Sequence, residues 1–263
     1  MVLLQTVSDI RSRLKEVTQE EFQVLERSLC ADTRKGVQAA LAATKKRLAA
    51  QAEEQRRLDG LYSFESELTR DRIAVGLDEV GRGPLAGPLT VAGVVFPFHA
   101  RHIPLLNDSK QVAAARRPDL AEEIKEEAIA WSVVHIEPAM IDELGMTACL
   151  KRAFSQAVSD IEGQGIVPEV ILLDGNPLHF DTREISVVKG DARCASIAAA
   201  SLIAKVTRDQ LMVAYDHQYP GYDFASSKGY GSERHRQAIE QKGLTPIHRV
   251  SFCQNFLQET LFL

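Results

Sequence analysis

Three apolar segments of this chain each end on an acidic residue. Ile73–Leu77 runs straight into Asp78-Glu79, Glu169–Leu173 into Asp174-Gly175, and Ile185–Val188 reaches Asp191 after Lys189-Gly190. Short apolar runs of this kind read as buried strands. In open α/β sheets the functional crevice lies beyond the carboxyl ends of the strands. Neighbouring strands that point the same way therefore bring four carboxylates to one rim. Two carboxylates 4 Å apart repel by about 4 kcal/mol at an effective dielectric near 20. Two divalent cations match the four negative charges, and hard oxygen ligands favour Mg²⁺ or Mn²⁺ over zinc. Such a pair clamps the attacking and leaving oxygens of a phosphodiester. Taken singly, each residue has a plainer reading as a turn residue or, for Asp191, a helix cap. Three strand ends in one domain point instead to a site.

Between the first two strands lies VGRGPLAGP. Gly81, Gly83 and Gly87 give neither the dinucleotide fingerprint nor a Walker motif, and Pro84 removes an amide donor. Glycines let a backbone approach a ligand closely. Exposed main-chain groups beside carboxylates can read a sugar hydroxyl, and the 2′-OH separates RNA from DNA. The plain alternative is a Gly-Pro hairpin connection. Tyr230 sits between two glycines in SSKGYGSERHR, where an aromatic can stack on a sugar or base. On the helix after Asp191, the small residues Ala195, Ser196, Ala198, Ala199, Ala200 and Ser201 suit tight packing on the sheet. Lys205 and Arg208 read as salt-bridged surface residues. The histidines form no metal-binding pair, and His235 and His248 read as ordinary helix or loop residues.

The elements that must position these groups follow from the remaining pattern. Residues 1–70 lack proline and read as helix, with capping-box spacing at Thr18 to Glu21 and a second long helix from about Gly36 to Arg57. They carry a net +1 against −6 for the rest, and form a candidate helical appendage. Lys45-Lys46-Arg47 and Arg56-Arg57 can steer DNA electrostatically, which would make 1–70 a substrate-contacting extension; the plainer and preferred reading is a solvated helix face. From Arg72 strands alternate with helices. Leu89–Phe96 and Trp131–Ile136 read as further strands, Ser109 as a helix cap, and Asp119–Ala130, Pro138–Ile161 and Ala192–His217 as helices. The short first connection predicts an antiparallel hairpin, and a mixed sheet results. The chain has 263 residues, 45% apolar and 25% charged, which excludes global disorder. Its net charge of −5 excludes coating of nucleic acid by bulk charge, but not a local positive surface. Its start lacks a cationic leader, no run spans a bilayer, and Cys30, Cys149, Cys194 and Cys253 form no framework. A cytoplasmic protein is expected.

AVGLDEVGRGPLAGPL, NDSKQV, ILLDGNP, VVKGDARCASIAAASLIAKVTRD and SSKGYGSERH follow one another between residues 73 and 235. Together they resemble bacterial ribonuclease HII, the type 2 ribonuclease H, over about Leu68 to Gln254. The resemblance implies a ribonuclease H-like mixed five-stranded sheet flanked by helices over 71–263. The helical start 1–70 is a departure that only longer forms of the family share. It implies an endonuclease with two Mg²⁺ or Mn²⁺ ions that cleaves the RNA strand of RNA–DNA hybrids. Incision 5′ to a single ribonucleotide in duplex DNA is also implied, leaving 3′-hydroxyl and 5′-phosphate ends. On the same ground Asp78, Glu79, Asp174 and Asp191 are the metal ligands. Gly81, Arg82 and Gly83 contact the 2′-OH, Tyr230 senses the junction, and Ser109 and Lys110 lie near substrate phosphates. No membrane and no obligate protein partner is implied. The rivals are a ribonuclease HIII-like enzyme and a non-enzymatic nucleic-acid-binding module.

Overall fold

The computed structural model describes residues 6–259, with side chains through Gln254. The first residues of the start discussed above, Met1–Gln5, lie outside the described residues. The chain divides into two compact units, Met1–Asp59 and Gly60–Leu263. Three helices come first: α1 (Val7–Glu16), α2 (Gln19–Leu29) and α3 (Lys35–Thr69). Thr18 and Glu21 form the expected capping box, and Thr6 with Asp9 forms a second. Ile10, Leu14, Phe22, Leu25, Val37 and Leu41 make the core of the first unit. The helix expected to stop near Arg57 continues to Thr69. Residues 58–69 hold no proline, and their one glycine is tolerated. The division between the units falls inside this helix.

The second unit holds one five-stranded sheet of β1 (Ala74–Val80), β2 (Leu89–Val95), β3 (Ala130–Ile136), β4 (Val170–Asp174) and β5 (Glu184–Val187), in the order β3-β2-β1-β4-β5. Interleaved with them are α4 (Arg117–Glu127), α5 (Pro138–Leu144) and α6 (Met146–Gly163). After them come α7 (Ala195–Gln218), α8 (Phe224–Ser227), α9 (Glu233–Lys242) and α10 (Val250–Glu259). β1 pairs antiparallel with β2, as the short loop predicts, and β2 with β3; β1–β4 and β4–β5 are parallel. The β4–β5 link, residues 175–183, carries no helix. The Glu184 carboxylate instead accepts from the Leu178 and Phe180 amides at 2.7 and 3.1 Å, and Arg183 grips Asp181 and Glu162.

Side chains alternate across β1. Val75 and Leu77 enter the core shared with Phe154, Ala157, Val158 and Ile161 of α6. Gly76 faces α7 so closely that a Cβ there would lie 2.4 Å from the Ser196 carbonyl carbon. Ala195–Ala204 of α7 is buried throughout, or nearly so, which is the tight packing its small residues predict. No helical stretch begins at Ser109. Asp108 closes a turn by accepting from the Lys110 amide through Oδ1 and from the Gln111 amide through its carbonyl, and the Ser109 hydroxyl is turned inward. Among the described residues no helix is long and apolar enough to cross a membrane.

Candidate active site

The β1–β4 register places Leu77 opposite Leu173. Asp78 and Asp174 are the next residues on each strand, so they lie side by side on adjacent parallel strands, on the face covered by α7. Asp174 pairs with Val187 of β5, and its Oδ1 accepts from the Gly190 amide at 2.6 Å. That bond draws the turn carrying Asp191 onto the same rim. Asp78 is 7% exposed, and its Oδ1 accepts from the Glu79 amide at 2.7 Å. Burial, reinforced by Glu79 and Asp174, pushes the Asp78 carboxyl well above the usual carboxylate range. Glu79 is also raised, by burial first and by Asp174, against the lowering effect of Arg82, which bonds it at 3.2 Å. Asp191 is raised by burial, then by Asp174 and Asp108. Asp78, Glu79 and Asp191 thus each feel Asp174. Among the described residues, no three His, Cys, Asp or Glu side chains are grouped so as to hold a metal ion as they stand. The donor chemistry of the four, all carboxylate oxygen and three of them raised by burial and by Asp174, suits a hard divalent cation.

The serine and lysine before α4 take different positions. Ser109 is buried and its hydroxyl meets Ser201 of α7 at 3.2 Å, and Ser201 in turn bonds Asp78. Lys110 is exposed, and its charge acts on Asp191. A cavity of about 820 Å³ opens at the opposite end of the sheet, lined by Tyr62, Phe96 and His102 among others, and holds none of the predicted site residues.

The glycine loop flanks the carboxylates. Arg82 and Gly83 are exposed, and a Cβ on Gly83 would lie 4.0 Å from Cε1 of Tyr230, so the loop and the tyrosine form one surface. The residues beneath this surface correct one sequence reading. Lys205 does pair with Asp209 at 2.8 Å, but Arg208 is fully buried and bonds only main-chain carbonyls. Ile197, Ser201, Ala204, Arg208 and Met212 follow one another at three- and four-residue steps and are all buried, so helical spacing carried a signal that the charge obscured. Arg249, which no sequence pattern singled out, is equally buried and grips the same loop. His235 and His248 are a buried pair. The Tyr230 carbonyl can only accept, so His235 donates to it from Nδ1 at 2.9 Å; the Thr245 amide can only donate, so Nδ1 of His248 accepts from it. The Nε2–H of His248 then donates to Nε2 of His235 at 3.0 Å.

Comparisons with known proteins agree with this architecture. Residues 75–255 match the family model Ribonuclease HII, and residues 6–69 match Ribonuclease HII N-terminal domain. Ribonuclease HII of Listeria monocytogenes serotype 4b (strain F2365) is 41% identical over 250 residues, covering 94% of each chain. The ribonuclease H2 structure from Pyrococcus horikoshii OT3 is 27% identical at a TM-score of 0.61, over 71% of this chain and 98% of that one. Bst-RNase HIII in complex with Mn²⁺ is 21% identical at a TM-score of 0.59, over 79% and 73%, and shares the fold. The chain belongs to the ribonuclease HII family and is a ribonuclease H endonuclease acting on RNA–DNA hybrids.

Proposed function

We propose that the enzyme uses Asp78, Glu79, Asp174 and Asp191 to hold two divalent cations, Mg²⁺ or Mn²⁺, and incises duplex DNA 5′ to a single ribonucleotide, leaving 3′-hydroxyl and 5′-phosphate ends. The observation that carries this reading is the adjacency of Asp78 and Asp174 beside the Gly81–Gly83 loop and Tyr230. Bound there, divalent cations lower the pKa of water and stabilise charge on the leaving oxygen. Asp78 is the central ligand, fixed by Ser201 and by the Glu79 amide. Asp174 is held by the Gly190 amide, so its second oxygen remains free to ligate. Gly81, Arg82 and Gly83 read the 2′-hydroxyl through the main chain, and Tyr230 lies where the sugar of the junction would stack. Lys110 contacts substrate phosphate. Ser109 acts from behind, through Ser201.

The test is cleavage of a duplex containing one ribonucleotide, with Mg²⁺ and with chelator. Asp78→Asn and Asp174→Asn are expected to lower turnover by about 10³-fold, as losing a clamp on developing charge does. Near-normal turnover of both variants, or of the wild type in chelator, rejects the scheme.

A further inference from the structure

Arg208 of α7 and Arg249, just before α10, are both fully buried. Their guanidinium groups converge on one target. Arg208 donates to the carbonyls of Pro88, Lys228 and Ala86 at 2.9, 2.9 and 3.1 Å. Arg249 donates to Gly81 at 2.6 Å, to Arg82 at 2.9 Å, and to Gly87 at 3.1 and 2.9 Å. Every one of these acceptors lies in the 81–88 loop or the arm before Tyr230. Among the described residues neither arginine pairs with a carboxylate, and Arg208 itself presses the Arg249 guanidinium downward in pKa, after burial. Two unpaired cations buried together are an expensive way to stabilise a fold, since well-packed apolar residues often do as well. The arrangement is tight as well. At Gly81, whose φ is +92°, a Cβ would lie 2.4 Å from Nε of Arg208. The arm is stitched to the loop by the Leu85 and Ala86 amides, which both donate to the Gly229 carbonyl, and the Arg249 amide donates to Leu85.

We propose that Arg208 and Arg249 are positioning residues for ribonucleotide recognition. By gripping six carbonyls they hold the glycine loop and the Tyr230 arm in a single preformed shape. The two guanidiniums take up carbonyls on the inner side of the loop, while Arg82 and Gly83 stay exposed on its outer side beside Tyr230. A planar fork suits this task because it spans several acceptors at fixed angles, which an ammonium cannot do. The inference rests on the reading of this loop as the sensor of the 2′-hydroxyl.

The experiment compares wild type, Arg208→Lys and Arg249→Lys on three substrates: duplex DNA with one ribonucleotide, a continuous RNA–DNA hybrid, and all-DNA duplex. Mg²⁺ binding is followed by calorimetry. Each Lys variant keeps the charge but loses the fork. The expected result is a fall in kcat/KM of about 100-fold on the single ribonucleotide, the scale of an ångström-sized misplacement, and of less than about 10-fold on the hybrid, which offers many 2′-hydroxyls. Mg²⁺ affinity stays within about twofold, as expected for residues that touch no carboxylate of the site. Equal losses on both substrates, or no loss on either, overturn the proposal. Hydrogen exchange of the wild type supplies a check that needs no variant. The amides of Leu85, Ala86 and Gly87 are expected to be protected before substrate is added, and free exchange there overturns a preformed loop. A wild type that cuts all-DNA duplex as readily as the ribonucleotide-containing one refutes the parent reading instead.

Discussion

Asp78 carries the conflict between stability and chemistry in its sharpest form. It is buried, it lies beside two other carboxylates, and its carboxyl is raised well above its unfolded value. A carboxyl raised on folding binds its proton more tightly in the native state. The metal-free protein therefore loses stability as pH rises from about 4, where the unfolded group ionises, through the raised native value. Removing the charge relieves this. Asp78→Asn is expected to melt about 2–4 °C above wild type in chelator at neutral pH, the shift that corresponds to roughly 1 kcal/mol in a chain of this size. The difference shrinks toward pH 4, and added Mg²⁺ reverses it. Calorimetric melts at two pH values check the sign; a variant less stable than wild type in chelator rejects it. The carboxylates were legible because a strand that ends on an acid is a local pattern. Arg208 was misread because its charge suggested solvent while its spacing suggested the core, and the spacing was right. Arg249 carries no such local sign: its burial exists only once the loop, the arm and the C-terminal segment have met.

Elements show the same division between local and assembled information. The residue before α7, its N-cap Cys194, offers no side-chain cap. Its first free amides are met instead by Glu65 of α3, whose Oε2 accepts from the Ser196 amide at 2.8 Å. A half-buried carboxylate at a helix N-terminus satisfies orphan donors and suits the dipole. Glu65→Ala is expected to cost about 1–2 kcal/mol, the range for loss of a cap, while kcat on the hybrid stays near wild type. A urea titration beside a turnover assay measures both, and an unchanged midpoint refutes the role. Sequence spacing could not show this cap, because donor and acceptor lie 131 residues apart. The parallel β4–β5 link was undecidable for a related reason. Glu184 replaces the usual helix by tying loop amides, and nothing in a short polar segment announces that service.

For the whole molecule, the question is how a chain of net charge −5 engages a polyanion. Arg82, Lys110 and Lys189 are exposed next to the carboxylate rim and form a small local field. Contact with about three phosphates gives a slope near −3 in log affinity against log salt, or a few tens of fold weaker binding between 50 and 200 mM. Fluorescence anisotropy in chelator with Asp78→Asn, whose turnover is expected to be about 10³-fold lower, measures this. A slope beyond about −6 shows that further basic surface is engaged and refutes the small footprint. The helical character of residues 7–69 was plain from composition and capping, whereas the division inside α3 was not, because a continuous helix gives no compositional break.

The two neutral imidazoles behind Tyr230 have a consequence for acid conditions. Both lie below their ordinary pKa, His248 at about 4, because burial disfavours their charged forms. A proton added to Nε2 of His235 sets two N–H groups against each other across 3.0 Å, and one added to Nδ1 of His248 confronts the Thr245 amide at 2.9 Å. The latch is therefore fully closed above about pH 6.5 and gives way as pH falls through about 4. Souring the solution slackens the Tyr230 arm from within, through the C-terminal quarter of the chain, by a route separate from protonation of the acidic cluster itself.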